Sequence, residues 1–142
     1  MAFTAAQIAS VMDCPVQRVA HMGQIVIPDG PANGSGHRAQ YSFRNILEMA
    51  ITERLMNFGV PRKRIQRYLE ALRKAHNHWL EIDGPDEGFI LMSSDWRWGA
   101  GTTIEGAVGV LARFLPVDGF IAIDIGFIKK SLLLNLHPAF SS

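Results

Sequence analysis

The sequence predicts an α+β fold, with four helices and a β-hairpin in the N-terminal half and a smaller α+β region after them. Helix-capping residues precede apolar runs of helical spacing. Residues 28–36 are rich in Gly and Pro and lie between two β-prone segments. An acidic stretch with Gly and Pro follows at residues 81–88. We therefore expect two regions, residues 1–78 and 89–142, joined by a linker over residues 79–88.

The first two helices are expected to be short and close together. Thr4 can cap the first helix, and Gln7 completes a capping box three residues later. Asp13-Cys14-Pro15 then breaks this helix, and a second one is expected over Val16–Met22. Two short helices joined by a tight turn are typical of a helix-turn-helix.

A β-hairpin is expected directly after the second helix. Residues 24–27 form a short β-branched run, and residues 37–41 can return as a second strand. The Gly- and Pro-rich residues between them cannot form regular structure. The pattern therefore predicts a wing, which is a hairpin with a long flexible tip.

Two longer helices complete the N-terminal region. Ser42 caps the third helix and Gly59 ends it, and Pro61 lies in the first turn of a fourth helix that runs to about His76. The residues expected to face the core lie at helical spacing: Leu47, Ile51, Leu55 and Phe58 in the third helix, and Ile65, Leu69 and Leu72 in the fourth.

The second region has weaker signals. We expect a strand over residues 89–94, a loop over 96–101, a helix over about 103–115 and a strand over 120–128. Residues 131–136 are apolar and stay open between strand and helix. The apolar stretch over residues 120–136 is a natural surface for dimerisation.

Composition and charge limit the classes of function. The chain has 142 residues, 48% of them hydrophobic, and a single cysteine, so it can form a core but no internal disulfide. No apolar run reaches the ~20 residues of a membrane helix, and we expect no signal peptide. The formal charge is +5 in residues 1–79 and −4 in residues 80–142. A cytoplasmic protein whose basic half meets a polyanion is expected.

The order of these elements resembles the N-terminal domain of MerR-type transcription regulators. The matching segments are TAAQIA at residues 4–9, VQRV at 16–19, GHRAQYS at 36–42 and NFGVP at 57–61, with Ile65 after them. The resemblance covers just over half of the chain. It implies a winged helix-turn-helix that binds double-stranded DNA as a homodimeric, nucleoid-associated transcription regulator.

The candidate DNA contacts fall into two groups. Early residues of the second helix of a helix-turn-helix enter the major groove, where Gln can pair with adenine and Arg with guanine. The expected base contacts are Gln17, Arg18 and His21. Cations at a helix N-terminus are unfavourable unless phosphates lie close by, and Arg62 and Lys63 open the fourth helix. The expected backbone contacts are His37, Arg38, Tyr41, Arg62, Lys63 and Arg67.

Several alternatives stay open. An aromatic group could line the pocket of a small-molecule effector, form a dimer surface or belong to the core; its members are Trp79, Phe89, Trp96 and Trp98. The family's Arg-Tyr-Tyr triplet is replaced here by Ala20-His21-Met22, which favours a protein-interaction module that has lost DNA binding. A phage- or plasmid-type architectural or excision factor is a further alternative. Acidic residues, histidines and the single cysteine are scattered, so we expect neither an enzyme nor a bound cofactor or metal.

Overall fold

A computed structural model describes residues 2–29, 40–85, 87–93, 97–111 and 119–140, with the backbone alone at residues 137–140. These residues form an α+β fold of six α-helices and one three-stranded sheet, as the sequence predicts at that level. In chain order the elements are α1 (Ala5–Met12), α2 (Val16–Met22), α3 (Phe43–Asn57), α4 (Arg62–His76), a 3-10 turn (Asn77–Leu80), β1 (Phe89–Ser93), β2 (Trp98–Gly101), α5 (Ile104–Leu111), β3 (Phe120–Asp124) and α6 (Ile125–Phe140).

Local capping explains where the first helices begin and end. Thr4 and Gln7 form the expected capping box, with the Thr4 N–H donating to Gln7 Oε1 at 2.9 Å. Asp13, with φ at 53°, ends α1 in the left-handed region, which Asp tolerates better than most residues. Ser42 caps α3 as predicted, and Gly59, with φ at 80°, follows its C-terminal end. These signals act within a few residues, so the sequence predicts them well.

The expected hairpin is wrong in its first strand. Ile25 and Val26 are buried in a turn that continues from α2, and their N–H groups both donate to Met22 O. Tyr41 instead forms an antiparallel bridge with Phe3, through hydrogen bonds of 2.8 and 2.9 Å. Burial of the β-branched side chains against the helices thus takes precedence over a local strand pair. Residues 30–36 of the predicted tip and residues 37–39 of the predicted returning strand lie outside the described residues.

Helix α3 is the centre of the N-terminal region. Leu47, Ile51 and Leu55 are buried as expected. Phe58 is 56% exposed, because it follows the last helical residue and its side chain no longer lies on the buried face of α3. The buried side of α3 also carries three polar residues that the sequence did not assign to the core: Asn45, Glu48 and Thr52.

The second region differs from the expectation in two places. The predicted loop contains strand β2, which pairs antiparallel with β1. The predicted strand over residues 120–128 ends at Asp124, whose Oδ1 accepts the Phe127 N–H at 2.9 Å and so caps α6. Residues 125–128 are therefore helical, and the ambiguous residues 131–136 continue the same helix.

The sheet has the antiparallel order β2-β1-β3, and helices cover its two faces differently. Helix α5 packs against β1 and β2 on one face, around Leu91, Ala107 and Leu111. Ile90, Met92 and Ile123 on the other face join a core that extends from Phe3 to Leu136. The described parts of the two regions thus share one core, and the division into two domains stays a prediction.

Candidate nucleic-acid interface

Helix α2 presents one polar stripe to solvent. Val19 and Met22 are buried against the other helices. The opposite side carries exposed residues at the spacing of one helix face, which are Gln17, Ala20, His21 and Gln24. Two of the three expected base contacts, Gln17 and His21, therefore lie together on an accessible surface that extends to Gln24 in the turn after α2.

Arg18 lies at the edge of this stripe and has a partner within the chain. Its Nε donates to Glu53 Oε2 of α3 at 3.1 Å, and the two side chains are 38% and 30% exposed. A partly exposed ion pair of this kind contributes under about 1 kcal/mol to stability, but it fixes the direction of the arginine. The sequence did not predict the pair because 35 positions separate its members.

Arg62 connects the start of α4 with the end of the α2 stripe. Its Nη2 donates to Gln24 O at 3.0 Å and its Nη1 donates to Gln24 Oε1 at 3.3 Å. Gln24 in turn donates its N–H to His21 O at 3.2 Å. The predicted backbone contact thus adjoins a predicted base contact. The bonded Gln24 carbonyl lies two residues after the C-terminal end of α2, and a cation near such an end is favourable.

Lys63 and Arg67 are exposed on α4 and line a cleft of about 490 Å³ beside the turn that follows α2. The two positions are one helical turn apart, so their cationic ends lie on the same face. Apolar and charged side chains both line the cleft, and its lining residues are Ile25, Val26, Ile27, Glu48, Lys63, Gln66, Arg67, Leu69, Glu70 and Arg73. The cationic edge of α4 therefore continues the polar surface of α2.

Tyr41 is placed differently from the other predicted backbone contacts. The side chain is only 8% exposed and belongs to the core, and a Cβ atom at Gly23 would lie 3.0 Å from its hydroxyl oxygen. Tyr41 thus packs beside the end of α2, and a phosphate contact through its hydroxyl stays a prediction. His37 and Arg38 lie outside the described residues.

Asn45 joins the two chain segments on either side of residues 30–39. Its Oδ1 accepts the Asp29 N–H at 2.9 Å and the Ser42 N–H at 3.0 Å, and its Nδ2 donates to Ile27 O at 3.2 Å. The Ser42 hydroxyl also donates to Asp29 Oδ2. Asn45 is fully buried, so a single side chain of α3 holds both ends of the segment that carries His37 and Arg38.

An ion pair between buried Glu48 and partly exposed Arg73 supports this arrangement. Arg73 of α4 donates to both carboxylate oxygens of Glu48 at 2.6 Å, and Glu48 also accepts from Asn45 Nδ2 at 3.2 Å. The hydrogen bonds to Glu48 raise the pKa of Arg73 further above its ordinary value. Arg73 Nη2 also lies 3.7 Å from Asp29 Oδ1. Sequence reasoning missed this network; the signal is polar Asn45 and Glu48 within a helix of mostly apolar neighbours.

The aromatic residues do not form one group. Trp79 is 3% exposed and stacks on His76 with ring centroids 4.1 Å apart, while Trp98 lies against Tyr68 at 6.0 Å. Phe89 packs on the other face of the sheet, against the cluster around Leu91. Trp96 lies outside the described residues. Trp79 thus belongs to the core, and an effector pocket or dimer surface at these positions stays a prediction.

The chain matches no protein-family model and no curated protein. None of the helices in the described ranges combines the length and the apolar character that crossing a membrane requires. The function of the chain is therefore inferred from the geometry of its own residues.

Proposed function

We propose that the chain binds double-stranded DNA as a sequence-specific, MerR-like transcription regulator with a winged helix-turn-helix. The observation that carries the proposal is the Arg62–Gln24 contact, because it joins the exposed stripe of α2 to the cationic start of α4. A helix that reads bases needs neighbouring cations to hold the phosphates. Gln17 and His21 face the major groove in this arrangement, and Arg62, Lys63 and Arg67 face the backbone.

The charge and the chain order support the same assignment. Helices α1 and α2 are separated by only three residues and pack against each other, and Gln17 and His21 of α2 are exposed. The basic half of the chain, with a formal charge of +5 over residues 1–79, contains this face. Phosphate neutralisation supplies much of the free energy of DNA association, so the basic half is suited to this partner.

The test is selection from a pool of random DNA duplexes, followed by sequencing. Gln17→Ala and His21→Ala should change or relax the selected sequence, because their side chains read bases. Lys63→Ala should weaken binding evenly across sequences. Lys74→Ala is the matched control, since Lys74 is an exposed cation near the other end of α4, ~18 Å from Arg62 along the helix.

Each contrary outcome has a clear meaning. No enrichment of any sequence at low salt contradicts the proposal. Binding with broad tolerance and a constant bend favours the architectural or excision factor. Binding to a protein partner without any binding to DNA favours the interaction module. Such binding should not weaken as salt rises, whereas phosphate contacts must weaken with salt.

We further propose that the regulator is a homodimer that pairs through β3 and α6. The Ile125 N–H donates to Gly88 O at 2.9 Å. Hydrogen-bonded pairs alternate along an antiparallel ladder, so Ile123 and Ile121 also exchange hydrogen bonds with β1. The backbone N–H and C=O of Ala122, between them, therefore point away from β1. Among the described strands none lies beyond β3. A second copy can pair there antiparallel across a twofold axis.

Exposed apolar side chains on β3 and α6 support this pairing. Phe120 at the start of β3 is 46% exposed, and Phe127 and Leu134 of α6 are 61% and 74% exposed. Sedimentation of Leu134→Asp should give a smaller species than the wild type. Val110→Asp is the control, since Val110 is 47% exposed on α5. A wild-type monomer at the concentrations that bind DNA contradicts the dimer.

A further inference from the structure

Resting on the proposed function, we propose that Glu53 is a positioning residue that orients Arg18 to read guanine. The hydrogen bond from Arg18 Nε to Glu53 Oε2 at 3.1 Å uses one edge of the guanidinium. Within the described residues, the two terminal nitrogens make no hydrogen bond. Those nitrogens form the planar fork that matches the O6 and N7 atoms of guanine.

The position of Arg18 suits this role. It lies one helical turn before His21 on α2, so the two side chains are neighbours on the helix surface. The ion pair crosses from α2 to α3, and α3 is the most deeply buried helix of the region. A carboxylate on a rigid helix therefore limits the rotamers of a long side chain before DNA arrives. Such preorganisation lowers the entropic cost of the bidentate contact.

Glu53 has opposite effects on affinity and on specificity. Its negative charge near the predicted DNA surface repels phosphates, which weakens binding to every sequence. Its hydrogen bond aims the arginine, which strengthens binding to the sequence with guanine at one position. A residue with a purely structural role would change both kinds of binding in the same direction. This difference in sign separates the two roles.

Three variants isolate the effect. Glu53→Ala removes both the charge and the acceptor. Glu53→Gln removes the charge but keeps an amide oxygen that can accept from Arg18 Nε. Arg18→Lys keeps the positive charge but has no fork. Glu70→Ala is the control for charge alone, since Glu70 is an exposed carboxylate on α4.

The experiment measures equilibrium binding of the full chain to the selected duplex, to the same duplex with guanine replaced at each position, and to an unrelated duplex. We expect Glu53→Ala to lose about tenfold of the preference for guanine at one position, and to bind the unrelated duplex more tightly than the wild type. Glu53→Gln should retain most of the preference, and Arg18→Lys should lose it at the same position. Glu70→Ala should keep the preference in full.

Two results overturn the inference while leaving the proposed function intact. In the first, the wild type selects a sequence, and Glu53→Ala shows the same preference for guanine as the wild type. The other is Arg18→Lys with unchanged preference at every position. A wild type that selects no sequence contradicts the proposed function itself. Thermal unfolding of each variant shows whether it is folded, and Glu53→Gln serves as the test should Glu53→Ala fail to fold.

Discussion

The helical region before residue 80 and the sheet region after residue 88 pack in different ways. In the first, α3 and α4 meet around a polar network, in which Asn45 and Glu48 are almost fully buried and the partly exposed Arg73 of α4 bonds to Glu48. In the second, α5 lies directly on the backbone of β2. A Cβ atom at Gly99 or at Gly101 would be 2.7 Å from the α5 backbone.

This difference determines which substitutions each region tolerates. A buried charge is stable only while its partner is present, so the helical region depends on satisfied polar groups. A helix can lie this close to a strand only where the strand has no side chain, so the sheet region depends on glycine at these two positions. The two regions also serve different parts of the proposed function, since the first carries the proposed DNA surface and the second carries the proposed dimer surface.

The largest expected effect is the loss of the ion pair that satisfies the buried carboxylate of Glu48. Arg73→Ala leaves Glu48 buried without its bidentate partner, and we expect the free energy of unfolding to fall by about 3 kcal/mol. Urea denaturation measures the change. Lys74→Ala, an exposed neighbour on the same helix, should change stability by less than about 0.5 kcal/mol. Equal effects of the two variants would mean that the network does not hold the region together.

A smaller effect is expected where α5 meets β2. Gly101→Ala places a methyl group 2.7 Å from Ala107 N, and such overpacking costs about 1–3 kcal/mol. Gly109→Ala is the matched control, because a Cβ atom there meets nothing within 4 Å. Alanine in the middle of a helix should stabilise α5 by about 0.5–1 kcal/mol. Thermal unfolding should therefore show opposite signs, and equal signs would contradict the packing.

The smallest effect concerns pH. Burial lowers the pKa of His76 below its ordinary value of 6.5, and the nearby His78 adds to this effect. Folding therefore disfavours the protonated ring, so stability is fully present above pH 6.5 and decreases as pH falls towards the lowered pKa. His76→Phe removes the titration and keeps a ring to stack on Trp79. Urea denaturation between pH 7.5 and about 5.5 should show a weaker decrease for the variant, and an unchanged decrease would assign it to other groups.

The sequence predicts those features whose causes are local. The first residues of α1, α2 and α4 follow from Thr4, Pro15 and Pro61, each of which acts on the next turn of chain. The first strand of the hairpin could not be excluded locally, because residues 25–27 are β-branched and the burial of Ile25 and Val26 depends on distant helices. Strand β2 was missed for a similar reason. Its glycines weaken any strand signal, and only contact with α5 explains them.

The candidate site divides in the same way. An exposed stripe with Gln17 and His21 follows from helical spacing, so the sequence was sufficient to find it. The partners that position the surface are separated in the chain: Glu53 from Arg18 by 35 residues, and Gln24 from Arg62 by 38. No periodicity within one element indicates such a pair. The contacts that organise the surface therefore needed the structure.

The most direct test of the central claim is the salt dependence of binding to one selected duplex. For the wild type, the logarithm of the association constant should fall linearly with the logarithm of salt concentration. Lys63→Ala should reduce the slope by about one phosphate contact, and Lys74→Ala should leave it unchanged. Absence of wild-type binding at low salt, or the same reduction in both variants, would contradict a DNA surface made of α2 and the start of α4.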